Sequence, residues 1–529
     1  MATAQLADVL TDRLPLVCSA VVVLAFTLIA QYLLKGDPLA AFPFAGEGLH
    51  SEQKRREAYL TNTKSVYMEG YRKFRDTVFK VTTSTNKDVV VVPIKFLDEL
   101  KKLPDDVLSF DAAIEELMVS DYTKLIPGDQ TIPHVVKASL TPALAKLNPI
   151  LTEEVARAVR SEMPACPDWT DVNIYQKLLR IVAIVSGRIF LGPELCHDEA
   201  YLDAAINYTV ELFNARNAVV QIKPWLRPFR APFLPEVRQL RAREETFNAV
   251  IQPIVAARRE AERADPCYVK PDDMLQWILD GKAKDVAKGA AAEMTDRQLA
   301  KLQLSLSLAA IHTTSMMVTN AFYDLAANPD VIAELREECS AALAANGGVF
   351  TSPALQSLKK LDSCLKETLR VNPPGFTSFT RKVLKPITLS NGQLIPAGVT
   401  LEVAAYPQSR DPEPYPEPET WDGLRFYRLR EAGEDFNAKS AGRQGSAVEA
   451  NAHNQFVSVS HRSLVFGYGR HACPGRFFAA NEIKMIVARC LLEYDIKLPD
   501  GVAQRFPNFE FSGAIVPDPT KTLLFREAR

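Results

Sequence analysis

The feature that most limits the fold of this chain is one very long helical pattern. It begins at Thr295, where Gln298 completes a capping-box spacing, and it ends before Asn328-Pro329. At about 1.5 Å per residue, a helix of this length can cross a whole domain. Residues from about 95 to 370 show the same helical periodicity. The pattern therefore predicts a mainly α fold around one long helix.

A small β part is expected on both sides of this helical block. Strand-like runs lie at 78–82 and 89–92, and further runs follow at 379–383, 387–389 and 400–404. Asn391-Gly392 is a hairpin signal. The segment 411–418 (DPEPYPEP) has a proline at every second position, so it can be neither a helix nor a central strand.

Charge and cysteine content exclude several functional classes. Among 529 residues, 62 Lys and Arg face 64 Asp and Glu, so the net charge is -2. That balance gives no basic surface for a nucleic acid. The eight cysteines form no CxxC pair, which argues against a zinc finger or a disulfide scaffold.

The segment Leu14–Leu34 is the only long apolar run. Its 21 residues carry no charge and would form a helix about 31 Å long, enough to cross a bilayer core. A cleaved signal peptide is the alternative, but it would need a shorter apolar core and a small-residue cleavage site. Lys and Arg cluster after the segment, which favours a cytosolic body. We expect a lumenal segment 1–13, an anchor 14–34, a hinge 35–50 and a cytosolic domain 51–529.

The most informative stretch is the loop 466–479, FGYGRHACPGRFFA. Two glycines allow tight bends, and Cys473 precedes a proline that suits the first turn of a helix. The positive end of a helix lowers the pKa of a thiol and favours a thiolate, a soft ligand for one metal ion. An inert, buried structural cysteine is the alternative.

This loop resembles the haem-binding sequence of the cytochrome P450 family, F-G-x-G-x-R-x-C-x-G. Every fixed position from Phe466 onward matches, except that His471 stands where the family usually has arginine. The resemblance implies that Cys473 is the axial ligand of a haem b iron, and that His471 contacts a haem propionate.

Two further motifs of the family recur at the expected places. Glu367 and Arg370 form an E-x-x-R pair on one helix face, 106 residues before Cys473, and Arg425 matches its partner in the later meander. The resemblance implies a buried cluster, whereas an exposed pair would contribute only about 0.5 kcal/mol.

The long helix carries the sequence A-A-I-H-T-T-S around Thr313. The resemblance implies that Thr313 and Thr314 serve oxygen activation, and His312 stands where the family usually has an acid. His312 would either join a proton relay or pack between helices. From the residues alone, the hydroxyls would only bond back to carbonyls one turn earlier.

Three more positions follow from the resemblance. His134 and Lys137 lie on the helix where the family keeps a propionate-binding W-x-x-x-R, although neither matches it in full. Arg381, on the first strand after Pro373-Pro374, resembles a propionate-contacting arginine. Each could equally be a solvated charge or a cap.

The resemblance covers nearly the whole chain and is strongest to fungal monooxygenases of secondary metabolism, many of which oxidise terpenoid or mixed terpenoid scaffolds. It implies dioxygen, electrons from NADPH through a cytochrome P450 reductase, and a hydrophobic substrate. It also implies a single-pass protein of the endoplasmic reticulum membrane. Two alternatives stay open: a haem-thiolate isomerase or dehydratase that needs no reductase, and a membrane-anchored binding protein without catalysis.

Overall fold

The structure is a computed structural model that leaves parts of both termini and a few loops undescribed. It describes residues 18–20, 22–24, 26–27, 37, 39–46, 48–49, 51–84, 87–287, 294–434, 446–511 and 513–528. The predicted lumenal segment 1–13 and most of the predicted anchor 14–34 lie outside these residues. Within the described ranges, no helix is both long and apolar enough to cross a membrane.

Helices make up most of the described chain, as the sequence predicts. The α-helices are α1 Glu52–Thr61, α2 Thr63–Lys73, α3 Leu97–Leu100, α4 Phe110–Met118, α5 Ser120–Thr123, α6 Thr131–Val135, α7 Thr141–Glu162, α8 Ile174–Phe190, α9 Glu199–Val220, α10 Arg227–Arg230, α11 Pro235–Ala264, α12 Met274–Ala287, α13 Asp296–Ala327, α14 Pro329–Ala344, α15 Ser352–Ser357, α16 Lys359–Val371, α17 Ala405–Ser409, α18 Arg425–Glu431, α19 Ala447–His453 and α20 Arg476–Glu493. A π-helical turn, Val136–Leu140, joins α6 to α7.

The predicted long helix is present as α13. The Thr295 hydroxyl accepts a hydrogen bond from the Gln298 backbone N–H at 3.2 Å, and the Gln298 side chain accepts one from the Thr295 N–H at 2.9 Å. These two bonds satisfy N–H groups that a helix start leaves unpaired. Asn328 ends the helix, as the sequence predicts.

The helical pattern over 355–371, which the sequence predicts to be one helix ended by Asn372-Pro373-Pro374, is divided at Leu358 into α15 and α16. The Glu338 carboxylate accepts hydrogen bonds from the N–H groups of Lys360 and Leu361, at 2.7 and 2.9 Å. A side chain of α14 therefore caps the new helix start. Because Glu338 lies on another helix, the residues around Leu358 do not by themselves predict this cap.

The strands form one five-stranded sheet and three smaller ones. They are β1 Phe79–Thr82, β2 Asp88–Val91, β3 Leu108–Ser109, β4 Thr170–Val172, β5 Ser378–Val383, β6 Ile387–Thr388, β7 Leu394–Ile395, β8 Thr400–Val403, β9 Tyr494–Lys497, β10 Asn508–Phe511, β11 Ala514–Pro517 and β12 Leu523–Glu527. The large sheet has the order β1-β2-β8-β5-β3, and only β2 and β8 run parallel. The β part is small and lies beside the helical block, as predicted.

Helix α13 passes through the centre of the hydrophobic core. Its residues are buried on nearly every side, including Phe322 and Tyr323, and it packs against α8, α9, α11 and α20. A helix that is apolar all round is typical of a protein centre rather than a surface. The segment 309–315 is therefore held in the middle of the protein.

Two glycines inside helices, one facing a packed helix and one facing open space, provide a matched test of the packing between α8 and α9. A Cβ atom on Gly187 of α8 would lie 2.7 Å from the Tyr201 hydroxyl, whereas a Cβ atom on Gly281 of α12 would meet nothing within 4 Å. We expect Gly187→Ala to lower the free energy of unfolding by about 1–3 kcal/mol, because the buried tyrosine must move.

Gly281→Ala is the control. It should raise the free energy of unfolding by up to about 1 kcal/mol, because alanine favours the helix. Urea unfolding of both variants checks the expected opposite signs, and a stabilised Gly187→Ala protein would contradict the packing.

Candidate active site

The loop before α20 is built around two glycines in the left-handed region. Gly467 has φ +75° and Gly469 has φ +72°, and a Cβ atom on Gly467 would lie 3.2 Å from the His471 carbonyl oxygen. The Cys473 N–H closes the loop by donating to the Phe466 carbonyl at 2.7 Å. The two glycine bends and this hydrogen bond fix the backbone position from which the Cys473 side chain extends.

The Cys473 sulfur lies just before the start of α20, which begins at Arg476. Burial has the largest effect on the pKa of the Cys473 thiol. Three smaller effects lower this pKa: the Gly475 amide, the Arg476 charge and the Arg476 amide. Burial raises that pKa and outweighs them, so the net shift is upward. The sequence predicts a lowered pKa for Cys473, and this is wrong for the free thiol. Burial has the larger effect, and burial depends on tertiary packing, which the local sequence does not show.

His471 lies on the short 3₁₀ turn Gly469–His471. Its Nε2 is 2.9 Å from the Asp105 carboxylate, and its ring stacks on Phe110 with centroids 5.3 Å apart. Arg470 approaches the same carboxylate at 3.5 Å. Asp105 and Phe110 are partners that the sequence analysis missed, since more than 350 residues separate them from the loop.

Arg381 of β5 is buried, with only 5% of its surface exposed. Its guanidinium lies over the rings of Phe110 and Phe379, at 5.2 and 4.3 Å, and donates to the Thr380 carbonyl at 2.8 Å. No carboxylate among the described residues forms an ion pair with it. Burial lowers the pKa of Arg381 to about 10. The charges of Asp105 and Asp111 act on Arg381 only from a distance. A buried guanidinium that no carboxylate pairs with directly fits an anionic group of a cofactor.

Thr313 and Ala309, one turn apart on α13, are exposed although their neighbours are buried. The Thr313 hydroxyl donates to the Ala309 carbonyl at 2.7 Å, and Ser315 bonds back to Ile311 in the same way at 2.8 Å. The helix continues without a break through these residues. Thr314 is buried at 3% exposure. Only Thr313 of the two threonines therefore presents its side chain to open space.

His312 is directed into the packing between helices. Its Nε2 donates to the Ile206 carbonyl of α9 at 2.7 Å, and its Nδ1 lies 3.5 Å from the Tyr175 hydroxyl of α8. Burial lowers the pKa of His312, and the bond to Ile206 only partly offsets this. The geometry favours a neutral, packed histidine, and the predicted relay role stays a hypothesis.

The structure brings Glu367, Arg370 and Arg425 together in a buried cluster. Arg370 donates two hydrogen bonds to the Glu367 carboxylate, at 2.8 and 2.7 Å, and Arg425 donates a third at 3.1 Å. Arg370 also donates to the carbonyl of Ser409 at the end of α17, at 2.8 Å, and to the carbonyl of Pro418 in the Pro-rich segment, at 2.7 Å. The cluster therefore ties α16 to the Pro-rich chain that leads to the Cys473 loop.

The remaining predicted residues are His134, Lys137 and Phe466. His134 of α6 and Lys137 of the π-helical turn are both exposed, and among the described residues neither side chain has a hydrogen-bond or ion-pair partner that would define its role. The Phe466 ring packs edge to face on Phe456, with centroids 5.6 Å apart. It therefore supports the loop from within the core.

Comparison with known proteins matches residues 133–525 to the family model described as Cytochrome P450. The chain is 39% identical over 439 residues to Cytochrome P450 monooxygenase ATR3 of Stachybotrys chlorohalonatus, which covers 83% of this chain and 88% of the relative. It is 34% identical over 521 residues to Cytochrome P450 monooxygenase AN1598 of Emericella nidulans, covering 97% and 93% of the two chains.

A similar protein from Penicillium paxilli, Cytochrome P450 monooxygenase paxP, is 34% identical and covers 88% of this chain and 86% of the relative. Among solved structures, a retinoic acid-bound cyanobacterial CYP120A1 matches with a TM-score of 0.64 at 18% identity. That match covers 89% of this chain and 96% of the solved chain, and it supports the fold alone.

The buried cluster gives a prediction about stability. Replacing Glu367 by glutamine leaves the charges of Arg370 and Arg425 buried without their carboxylate, which should lower the free energy of unfolding by about 3–5 kcal/mol. Glu431→Gln is the control, because Glu431 forms only an exposed pair with Lys359 at 3.5 Å. Thermal and urea unfolding check both, and equal effects of the two changes would contradict a central role for Glu367.

Proposed function

Because the chain belongs to the cytochrome P450 family, a family of haem-dependent oxidoreductases, we propose that it is a monooxygenase of fungal secondary metabolism that inserts oxygen into a terpenoid or mixed terpenoid substrate. The relatives above are named as monooxygenases and come from filamentous fungi. The substrate class rests on the resemblance of the motifs around Thr313 and Cys473. A mostly apolar pocket is also the default for a site of this kind.

The observation that carries the proposal is the environment of the Cys473 sulfur. Two backbone amides and the Arg476 charge favour its anionic form, while burial holds the free thiol protonated. A metal ion overcomes that burial, because a coordinating thiol loses its proton outright. The donor set therefore fits a thiolate ligand to one metal ion. A haem held in this way supplies oxygen activation, since thiolate ligation favours cleavage of the O–O bond.

Three residues are the main candidates to hold the haem. Cys473 would supply the sulfur ligand of the iron. Arg381, buried and without a carboxylate partner, and His471 would face the propionates. Asp105 already accepts from His471, so we assign the main propionate contact to Arg381. His134 and Lys137 stay as additional candidates for this contact.

Thr313 would act as the proton-handling residue. Its hydroxyl already donates to the Ala309 carbonyl, so its oxygen is left to accept a hydrogen bond from a water molecule. A water molecule held there would be a proton source for oxygen activation. Thr314, which is buried, would support the helix rather than the chemistry. His312 would fix the position of α13 against α9 through the Ile206 carbonyl.

We also propose an electron donor and a cellular location for this protein. Electrons would come from NADPH through a cytochrome P450 reductase. The apolar segment 14–34 would hold the protein on the endoplasmic reticulum membrane, with residues 51–529 in the cytosol. Two proteins held on one membrane surface meet more often than two free proteins.

The role of Thr313 gives a prediction about coupling. We expect Thr313→Ala to bind haem and substrate normally but to form about tenfold less product per NADPH, with the electrons released as hydrogen peroxide. The assay combines the purified protein, its reductase and a terpenoid that shifts the haem Soret band. Thr319→Ala is the control, because Thr319 makes the same type of bond, to the Ser315 carbonyl at 2.7 Å, in the buried part of α13.

Two results would contradict parts of this proposal. Unchanged coupling in Thr313→Ala would contradict the role of Thr313, and product formation by the wild-type protein without reductase and NADPH would contradict the monooxygenase function. The second result would indicate an isomerase or a dehydratase.

A further inference from the structure

Glu154, Cys196 and His197 form a cluster of metal-binding side chains, and none of them is among the candidate active-site residues. One atom of each residue, a carboxylate oxygen, the sulfur and a ring nitrogen, lies within 4.8 Å of the other two. The His197 Nε2 is 2.8 Å from the Glu154 Oε1. Glu154 lies on α7, and the other two residues lie in the turn between α8 and α9. The fold therefore brings three possible ligands together from two parts of the chain.

Two members of this cluster are buried, and the third is open to solvent. Only 2% of the Glu154 side chain is exposed and Cys196 is fully buried, whereas 37% of the His197 side chain is exposed. The Cys196 sulfur makes a weak contact with the Pro193 carbonyl at 3.7 Å, so it is able to bind a metal ion. The exposed side of His197 gives an ion a path to the sulfur.

The two carboxylate oxygens of Glu154 have different surroundings. Oε2 accepts a hydrogen bond from the Arg157 Nη2 and lies 3.7 Å from the Arg188 Nε. Oε1 faces His197 and also accepts a hydrogen bond from the Arg157 Nε at 3.1 Å. A carboxylate that binds a metal ion is usually oriented by further hydrogen bonds. The arginines therefore orient Glu154, and a metal ion would replace the direct contact between Oε1 and His197.

Charge balance is the main cost of a metal ion here, because Arg157 and Arg188 are both positive. A thiolate and a carboxylate together carry two negative charges, which neutralise one divalent ion. Burial, and then the Glu154 charge, raise the pKa of the Cys196 thiol to about 11, while Arg188 and Arg157 act in the opposite direction. The free thiol is therefore protonated near neutral pH, and its proton passes to the solvent when a metal ion binds.

The turn between α8 and α9, which carries two of the ligands, is anchored at both ends. At its start, the Leu191 carbonyl accepts a hydrogen bond from Arg258 at 2.9 Å, and Arg258 pairs with Asp273 at 2.7 Å. At its end, the Asp198 carboxylate caps α9 by accepting a hydrogen bond from the Tyr201 N–H at 2.8 Å. Ligands on a fixed backbone lose less conformational entropy on binding than ligands on a mobile loop. The turn therefore holds its two ligands near Glu154 before any ion binds.

We propose that Glu154, Cys196 and His197 bind one Zn²⁺ ion, with a water molecule as the fourth ligand. Sulfur, imidazole nitrogen and carboxylate oxygen are the donors that zinc takes in proteins, and three protein ligands with one water molecule complete a tetrahedron. Calcium and magnesium ions prefer oxygen ligands alone, so they fit this mixed set poorly.

Zinc binding needs only a small movement of the three side chains. Neighbouring ligand atoms of tetrahedral zinc are roughly 3.3–3.8 Å apart. The present atoms lie within 4.8 Å of one another, so the widest pair would close by about 1 Å. The bound ion would join α7 to the turn before α9. This inference goes beyond the proposed function and does not depend on it.

The test measures the zinc bound to the haem-loaded, full-length protein, in which the haem occupies Cys473. The protein is treated with a chelator, freed of it and dialysed against buffered Zn²⁺, and zinc and iron are then measured by elemental analysis. We expect about one zinc ion per haem. The X-ray absorption spectrum of the bound zinc should show one sulfur atom among four ligands.

Cys196→Ser should weaken zinc binding at least about 100-fold and remove the sulfur ligand, because even an outer partner of a zinc ligand contributes about 10–100-fold to affinity. Cys267→Ser is the matched control, since Cys267 is an exposed cysteine outside the cluster, and it should keep the full zinc content. Should Cys196→Ser fail to load haem, His197→Gln replaces it. His197 is partly exposed, and this change should weaken zinc binding at least about tenfold.

Three outcomes overturn the inference: no zinc retained by the wild-type protein, zinc bound without a sulfur ligand, or unchanged zinc binding in both Cys196→Ser and His197→Gln. These outcomes are separable from a failure of the proposed function. That failure would show as a missing thiolate band in the carbon monoxide spectrum, or as product formed without reductase, whatever the zinc content.

Discussion

The position of a single sulfur atom is the constraint on which the rest of the structure depends. The Cys473 N–H bonds to the Phe466 carbonyl at 2.7 Å, and glycines in the left-handed region allow the chain to fold back on itself. The amides at the start of α20 lie beside the sulfur. This arrangement holds one soft ligand in a fixed place, partly shielded from water. Such a ligand suits the coordination of one metal ion.

Buried polar clusters hold the parts that support this loop. The Glu367, Arg370 and Arg425 cluster joins α16 to the Pro-rich meander, and every carboxylate oxygen in it accepts a hydrogen bond. A buried ion pair adds little net stability over an apolar packing, but losing one partner is strongly destabilising. We therefore infer that the cluster mainly fixes the conformation of the Pro-rich segment relative to α16.

The sequence was most informative where a local rule decides the structure. The capping box at Thr295 and the proline after Asn328 set both ends of α13, and the E-x-x-R spacing correctly placed Glu367 beside Arg370. The sequence was least informative where distant segments meet. Nothing near Leu358 predicts the cap that Glu338 provides, and nothing near His471 points to Asp105. The pKa of Cys473 was predicted in the wrong direction for the same reason, because burial is a property of the whole fold.

The carbon monoxide difference spectrum of the reduced protein tests the central claim most directly. Thiolate ligation predicts a strongly red-shifted Soret band for the wild-type protein, and the loss of that band in Cys473→Ser. Cys490→Ser is the control, because Cys490 is a buried cysteine on the same helix as the loop's end and should leave the band in place. A Cys473→Ser protein with the wild-type band, or a wild-type protein without it, would contradict the account.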